Sequence, residues 1–191
     1  MKEIQDAAKE VFLTKGFRYT TMEDIVKNTS LSKGGVYQYY KSTKAILFDI
    51  MQSGNHFRYE RTEALIRTLK AGTSPAEVMT EACMAKIFDD VPEKRLYLMF
   101  LAEILYDKEY EALFFTLERQ SLQLFLKNMH LPPQEEKKLE DLLFSQLYFM
   151  LRIFNGILVM HELFSDKQTF LQHKDQIRTM IFTAMQNFLD N

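Results

Sequence analysis

Ile4, Ala8, Val11 and Phe12 recur at i, i+4, i+7 and i+8, the spacing of one face of an amphipathic helix. Gly16-Phe17 follows as a stop, with glycine just past the last turn, so a first helix is predicted over residues 2–15. Thr21 stands before Met22-Glu23-Asp24-Ile25-Val26 with an acid three residues on. That approximates a capping box and opens a second helix of about two turns. Ser32 is the next N-cap candidate and opens a short helix through about residue 38. Two short helices joined by a tight turn have the layout of a helix-turn-helix.

Longer helical patterns follow. One runs from Ser42 through Ile46, Leu47, Ile50, Met51, Phe57, Leu65 and Leu69, ending near Ala71-Gly72-Thr73. Ser74-Pro75 is an N-cap with proline at the first helical position, and that helix extends to about Asp90. Pro92 repeats the device before Leu96, Phe100, Glu103 and Ile104, and a further pattern through Tyr110, Leu113, Leu117, Leu124 and Phe125 reaches about Met129. Pro132-Pro133 marks the entry to a long helix over residues 134–163, and Ser165-Asp166 separates it from a last helix ending near Leu189. The long helix is apolar on two sides, with Leu139, Leu143, Leu147, Met150, Phe154 and Ile157 on one and Phe144, Tyr148, Leu151 and Leu158 on another. The last helix repeats this, with Ile177, Ile181, Ala184 and Phe188 beside Phe182, Met185 and Leu189. A surface helix needs one apolar stripe, so a second stripe means either a central position in its own domain or a symmetric dimer through a four-helix interface. The dimer is the preferred reading.

Six glycines and four prolines in 191 residues leave little material for the turns of an all-β fold. No strands or repeats stand out, and the chain is expected to be all-α. The lone Cys83 removes disulfides and CxxC sites and fits a reducing compartment, with a small buried apolar role for the thiol. No span-length apolar run and no secretory leader is recognised, so a soluble, cytoplasmic protein without membrane association is expected. Charge is uneven: residues 1–47 hold 8 Lys and Arg against 5 Asp and Glu, whereas the remainder holds 16 against 21. The positive field belongs to the N-terminal quarter.

Within residues 20–42, Ile25, Val26, Leu31, Val36 and Tyr40 can close a miniature core with Phe12 and Phe17. Tyr19 also reads as core. Thr21, Lys33, Gly34, Gly35, Tyr37, Gln38, Tyr39 and Lys41 are then left outside, a set without an acid that suits a polyanion. The free N–H groups after Ser32 would face phosphate as well. Two helical glycines each cost about 1 kcal/mol against alanine, which points to close approach of another backbone, such as nucleic acid. Lys33 could donate to guanine O6 and N7, and Gln38 could pair with adenine N6 and N7. Thr21, Tyr37, Tyr39 and Lys41 would hold phosphates. Taken singly, Lys33 and Lys41 also suit a solvated face.

The stretch over residues 4–47 resembles the DNA-binding domain of the TetR family of bacterial transcriptional regulators. Thr20, Thr21, Asp24, Ile25, Ser32, Lys33, Gly34, Val36, Tyr37 and Tyr39 fit the family pattern directly, and Tyr40 stands where Phe is common. Four departures accompany the match. Ser30 occupies the usual turn glycine, Thr29 a common alanine, and Gly35 a position often Thr or Ser; Thr43 takes the place of the usual lysine, with Lys44 adjacent as the displaced phosphate contact. With helix one beginning at residue 2, no basic minor-groove arm is expected.

The resemblance implies two domains: residues 1–47, a three-helix DNA-binding domain, joined by a long helix to residues 48–191, a helical effector-binding and dimerisation domain. It also implies a homodimer on a palindromic double-stranded DNA operator, acting as a repressor that a small apolar or aromatic effector releases. Phe57, Met84, Phe88, Phe100, Glu103, Phe149, Arg152 and Asn155 lie on helices that could line the effector cavity, with Met99 and Phe154 alongside. Taken singly, each aromatic or methionine among them reads more readily as core, and Glu103 could simply pair with Arg152. No cofactor, metal site or catalytic group is expected. None of His56, His130, His161 and His173 has Glu three residues before it, and GxGxxG, Walker, GxSxG and HExxH patterns are absent. The alternative is a helical apolar-ligand-binding or protein-interaction module with a vestigial helix-turn-helix.

Overall fold

The computed structural model describes residues 1–70, 72–142 and 148–189, without the side chains of Asn128 and Tyr148. Every regular element among them is helical: α1 (Lys2–Lys15), a 3-10 turn (Phe17–Tyr19), α2 (Met22–Lys27), α3 (Lys33–Tyr39), α4 (Thr43–Thr68), α5 (Pro75–Phe88), α6 (Glu93–Glu103), α7 (Lys108–Met129), α8 (Pro133–Leu142), α9 (Tyr148–Leu163), α10 (Gln168–Gln172) and α11 (Lys174–Leu189). The all-α expectation holds. Packing divides the chain into two compact units, Met1–His56 with Pro92–Glu118, and Phe57–Val91 with Arg119–Asn191, so α4 and α7 are each shared. The division at residue 47 is one of proposed function, whereas compactness groups α6 and the start of α7 with the N-terminal helices.

In the first unit, the stripe read from α1 points inward: Ile4, Ala8, Val11 and Phe12 are buried. Gly16 ends the helix at φ 86°, a value that L side chains rarely adopt, and its N–H bonds the Phe12 carbonyl at 2.9 Å. Phe12 meets Phe17 edge to face at 5.2 Å, and Ile25, Val36, Tyr40, Ile46, Leu47 and Ile50 close the cluster with Leu96, Phe100 and Tyr110. Tyr19 departs from its expected core role. It is 76% exposed at the end of the 3-10 turn, because Phe17 already fills the space beside Phe12.

The second unit packs α5 against α11 and α9. Ser74 caps α5 through the Glu77 N–H at 3.2 Å, with Pro75 in the first turn as expected. Arg178 on α11 bonds Glu81 at 2.7 Å and also Glu77, tying α11 to α5. Phe154, Leu158 and His161 form the buried face of α9, with His161 edge-on to Phe88 and Phe170 at 5.4 Å each. Half-buried Cys83 sits on α5, and desolvation pushes its thiol up to about 11, which keeps it protonated.

Two of the helix boundaries change. The last helix is broken at His173 into α10 and α11. The predicted helix over 134–163 corresponds to α8 and α9, and Leu143, Phe144 and Leu147 of its two stripes lie outside the described residues. The stripes are also offset from what periodicity suggested. Leu158 from the second stripe is buried with Phe154 from the first, and the exposed apolar side chains are Phe149, Ile153, Met160 and Leu163, with Phe164 just beyond the helix.

Candidate nucleic-acid interface

Thr21 begins the site as a complete capping box. Its hydroxyl accepts from the Asp24 N–H at 3.2 Å, while the Asp24 carboxylate accepts from the Thr21 N–H at 2.8 Å. Lys15 from α1 also donates to Asp24 at 2.5 Å, so the ion pair and these hydrogen bonds hold that carboxyl well below its ordinary range. Ser32 caps α3 through the Gly35 N–H at 3.1 Å.

The turn between α2 and α3 is made without a left-handed residue. No residue in 28–32 has positive φ, so Ser30 needs none of glycine's freedom. Its N–H is instead taken by the Glu3 carboxylate of α1 at 2.6 Å, and Thr29 bonds the Val26 carbonyl at 3.0 Å.

With Val36 and Tyr40 turned inward, α3 presents the expected outer set. Lys33, Gly34, Gln38, Tyr39 and Lys41 are exposed, as is Thr21, and Tyr37 and Gly35 are half-buried. Glycine at 34 has no internal cause. A Cβ there would meet nothing nearer than the Ser32 hydroxyl at 3.9 Å, so the space left open faces outward. Tyr40 Oη donates to Asp49, to which Gln5 also donates at 2.7 Å; burial, then the Asp49 contact, push the Tyr40 phenol up to about 12.

Three polar contacts revise the expected face. The outer surface does carry an acid: Glu23 accepts from Lys33 Nζ at 2.8 Å and from the Tyr37 hydroxyl at 3.5 Å. Lys44 is not free at the start of α4, because its ammonium bonds Asp107 at 2.5 Å and also Glu109. Lys41 donates to the Tyr37 carbonyl at 2.5 Å. Glu3, Glu23 and Asp107 were invisible as partners because each lies on a different element from the group it holds.

The effector candidates fare differently. Phe100 belongs to the first unit's core, fully buried and stacked with Tyr97 at 6.3 Å, and Glu103 accepts from Arg18 at 2.7 Å within the same unit. The Arg18 guanidinium also lies 3.7 Å over the Tyr106 ring. In the second unit Met84 is buried, Asn155 accepts from Lys86 at 2.6 Å, and Phe88 packs on His161. Phe57 and Arg152 are exposed, and Phe149 is 69% exposed on the outer side of α9. A groove of about 680 Å³ runs along α11, lined by Asp175, Thr179, Met180, Thr183 and Asn187, and contains none of the eight.

A capped α2, a tight turn and an outward polar α3, carried on an all-helical chain, define the class of helix-turn-helix proteins. Residues 4–50 match the family model described as "Bacterial regulatory proteins, tetR family". The uncharacterized HTH-type transcriptional regulator YfiR of Bacillus subtilis is 48% identical over 52 residues, 27% of this chain and 25% of YfiR. YuxN of the same organism, also an uncharacterized HTH-type regulator, is 26% identical over 132 residues, 67% of this chain and 44% of YuxN. The chain therefore spans less than half the length of these curated relatives. Among solved structures, Salmonella enterica GusR matches 100% of this chain and 95% of its own with TM-score 0.69 at 18% identity. A TetR/AcrR-family regulator from Thermobifida fusca matches 95% of each chain with TM-score 0.56 at 21% identity. These structural likenesses establish the shared fold. Residues 4–50 thus carry a DNA-binding domain of the TetR family type, on a chain that shares the fold of TetR-family structures.

Proposed function

We propose that the protein is a ligand-responsive repressor that binds a palindromic operator as a homodimer and leaves it when a mainly apolar effector binds. The observation that carries DNA binding is the outer face of α3, where Lys33, Gly34, Gln38 and Tyr39 are solvent-exposed on a helix anchored by Val36. An exposed lysine and amide suit guanine and adenine edges in the major groove, and Thr21, Tyr37, Tyr39 and Lys41 suit the phosphates beside them. Lys44 joins this set only by exchanging Asp107 and Glu109 for phosphate.

Dimerisation is supported by the exposed apolar residues of α9 together with Met180 on α11, since such a line of side chains is stabilised by a protein partner. Two copies related by a twofold axis would set two α3 helices against successive major grooves, about 34–36 Å apart. Release requires an effector that binds the DNA-incompetent state more tightly. Within the second unit Met84, Phe88 and Asn155 remain the candidates for its site. No helix of the described residues is long and apolar enough to cross a membrane, and none of their His, Cys, Asp and Glu residues form a group able to hold a metal ion.

The test is salt-dependent binding to an operator selected from a random duplex pool. Wild-type protein should bind it, and a Lys33→Ala/Tyr37→Ala/Gln38→Ala variant should lose that affinity while keeping its helical content. Full retention of operator affinity by the triple variant would refute the assignment.

A further inference from the structure

Glu23 is an acid on a surface otherwise built from lysines, hydroxyls, an amide and glycines. It lies in the first turn of α2, yet Asp24 supplies the carboxylate of that helix's capping box, so helix initiation does not require it. Its Oε1 instead crosses to α3, accepting from Lys33 at 2.8 Å and from the Tyr37 hydroxyl at 3.5 Å. The Lys33 ammonium lies 5.6 Å from the centroid of the Tyr37 ring, so three side chains from two helices form one cluster on the outward face. The contact is open to water, with Glu23 and Lys33 side chains 53% and 64% exposed, and such a pair opens at little cost. Until it opens, one cation of the face is cancelled.

We propose that Glu23 is a selectivity residue of the DNA interface, withholding the Lys33 charge from DNA of arbitrary sequence and releasing it where Lys33 finds a base partner. The inference rests on the DNA-binding reading above. On arbitrary DNA the return available to Lys33 is counterion release at a phosphate, and a carboxylate 2.8 Å away removes much of it by holding the ammonium. On the operator Lys33 also gains a directed contact to a base edge, which competes with Glu23 for the ammonium. Glu23 therefore weakens wrong complexes more than the right one, a specificity obtained by penalising the wrong partner.

The experiment compares wild type, Glu23→Gln, Lys33→Gln and the double variant on a random duplex and on the selected operator, by fluorescence anisotropy across a salt series. Glu23→Gln should steepen the random-duplex salt slope by about 0.9 per protomer, which near 0.1 M salt is about an eightfold gain in affinity. The operator should gain less, so the operator-to-random ratio falls. Lys33→Gln and the double variant should bind random DNA alike, because Glu23 acts through Lys33. An unchanged slope, an equal gain on both duplexes, or a gain that persists without Lys33 overturns the proposal. Wild-type protein that binds neither duplex overturns the DNA-binding reading and this inference with it; wild type that binds the operator beside an indistinguishable Glu23→Gln overturns the role of Glu23 alone.

Discussion

Helix α3 turns Val36 fully inward and offers Lys33, Gln38 and Tyr39 to solvent, whereas α9 buries Phe154 and Leu158 and still exposes Phe149, Ile153 and Met160. Around α3 the surplus groups are polar and already have partners across helices, as in Lys15 with Asp24, Glu3 with the Ser30 N–H, and Lys33 with Glu23. Such a face is soluble as it stands and can exchange those partners for phosphate. The outer line of α9 has no comparable option, since water gives a phenylalanine ring nothing in return for exposure. Covering each such side chain contributes about 1.5–3 kcal/mol, so several in one line favour association with another protein surface. One region is thus prepared for a polyanion and the other for a protein.

The largest effect should come from removing the packing that makes α3's face possible. Phe12→Ala empties a fully buried ring site and should cost about 3–5 kcal/mol, read as a lower urea midpoint with loss of DNA affinity. The next tests the apolar side: Phe149→Glu with Ile153→Glu should convert a dimer to a monomer in sedimentation equilibrium, weaken operator binding, and leave the helical signal intact. A dimer that survives both charges would break the contrast between the two faces. A smaller effect should separate stability from function, because Gly34→Ala removes about 1 kcal/mol of helix penalty at a site where the Cβ meets open space. That variant should melt slightly higher and bind DNA more weakly; unchanged binding would mean that no backbone approaches Gly34.

The smallest effect at neutral pH concerns Tyr40. Its phenol is pushed up to about 12, so between the ordinary value near 10 and that point the folded chain keeps a proton that the unfolded chain has lost. The stability it contributes is complete below pH 10 and is lost as pH rises through 12. Tyr40→Phe should make the alkaline fall of the urea midpoint shallower. Part of the slope should remain, because burial also raises the phenols of Tyr97 and Tyr110.

Most of the local structure was legible in the chain before any packing was considered. Thr21, Ser32 and Ser74-Pro75 mark helix starts because a cap acts within three residues of itself, and Gly16 marks an end for the same reason. The inward set Phe12, Ile25, Val36 and Tyr40 followed from period alone, and the outer set of α3 is its complement. The burial of the residues expected around an effector was not legible in this way. Phe100 and Phe149 are the same residue type, yet the one on charged α6 is fully buried and the one on more apolar α9 is mostly exposed, the reverse of what local composition suggests.

What the sequence by itself determined is therefore the all-helical class, the capped α2–turn–α3 unit and the side chains that unit turns outward, since all of these depend on neighbours a turn or two away. The tertiary structure decided the pairings that sequence distance conceals: Arg18 with Glu103 across 85 positions, Lys44 with Asp107 across 63, and Glu23 with Lys33 over the turn. It also decided which arc of α9 remains bare. Helical periodicity sets the angles among the apolar side chains of one helix, but the direction in which that helix is rotated depends on what packs against it, and α5 with its neighbours turned Phe154 and Leu158 inward and left Phe149 and Ile153 to solvent.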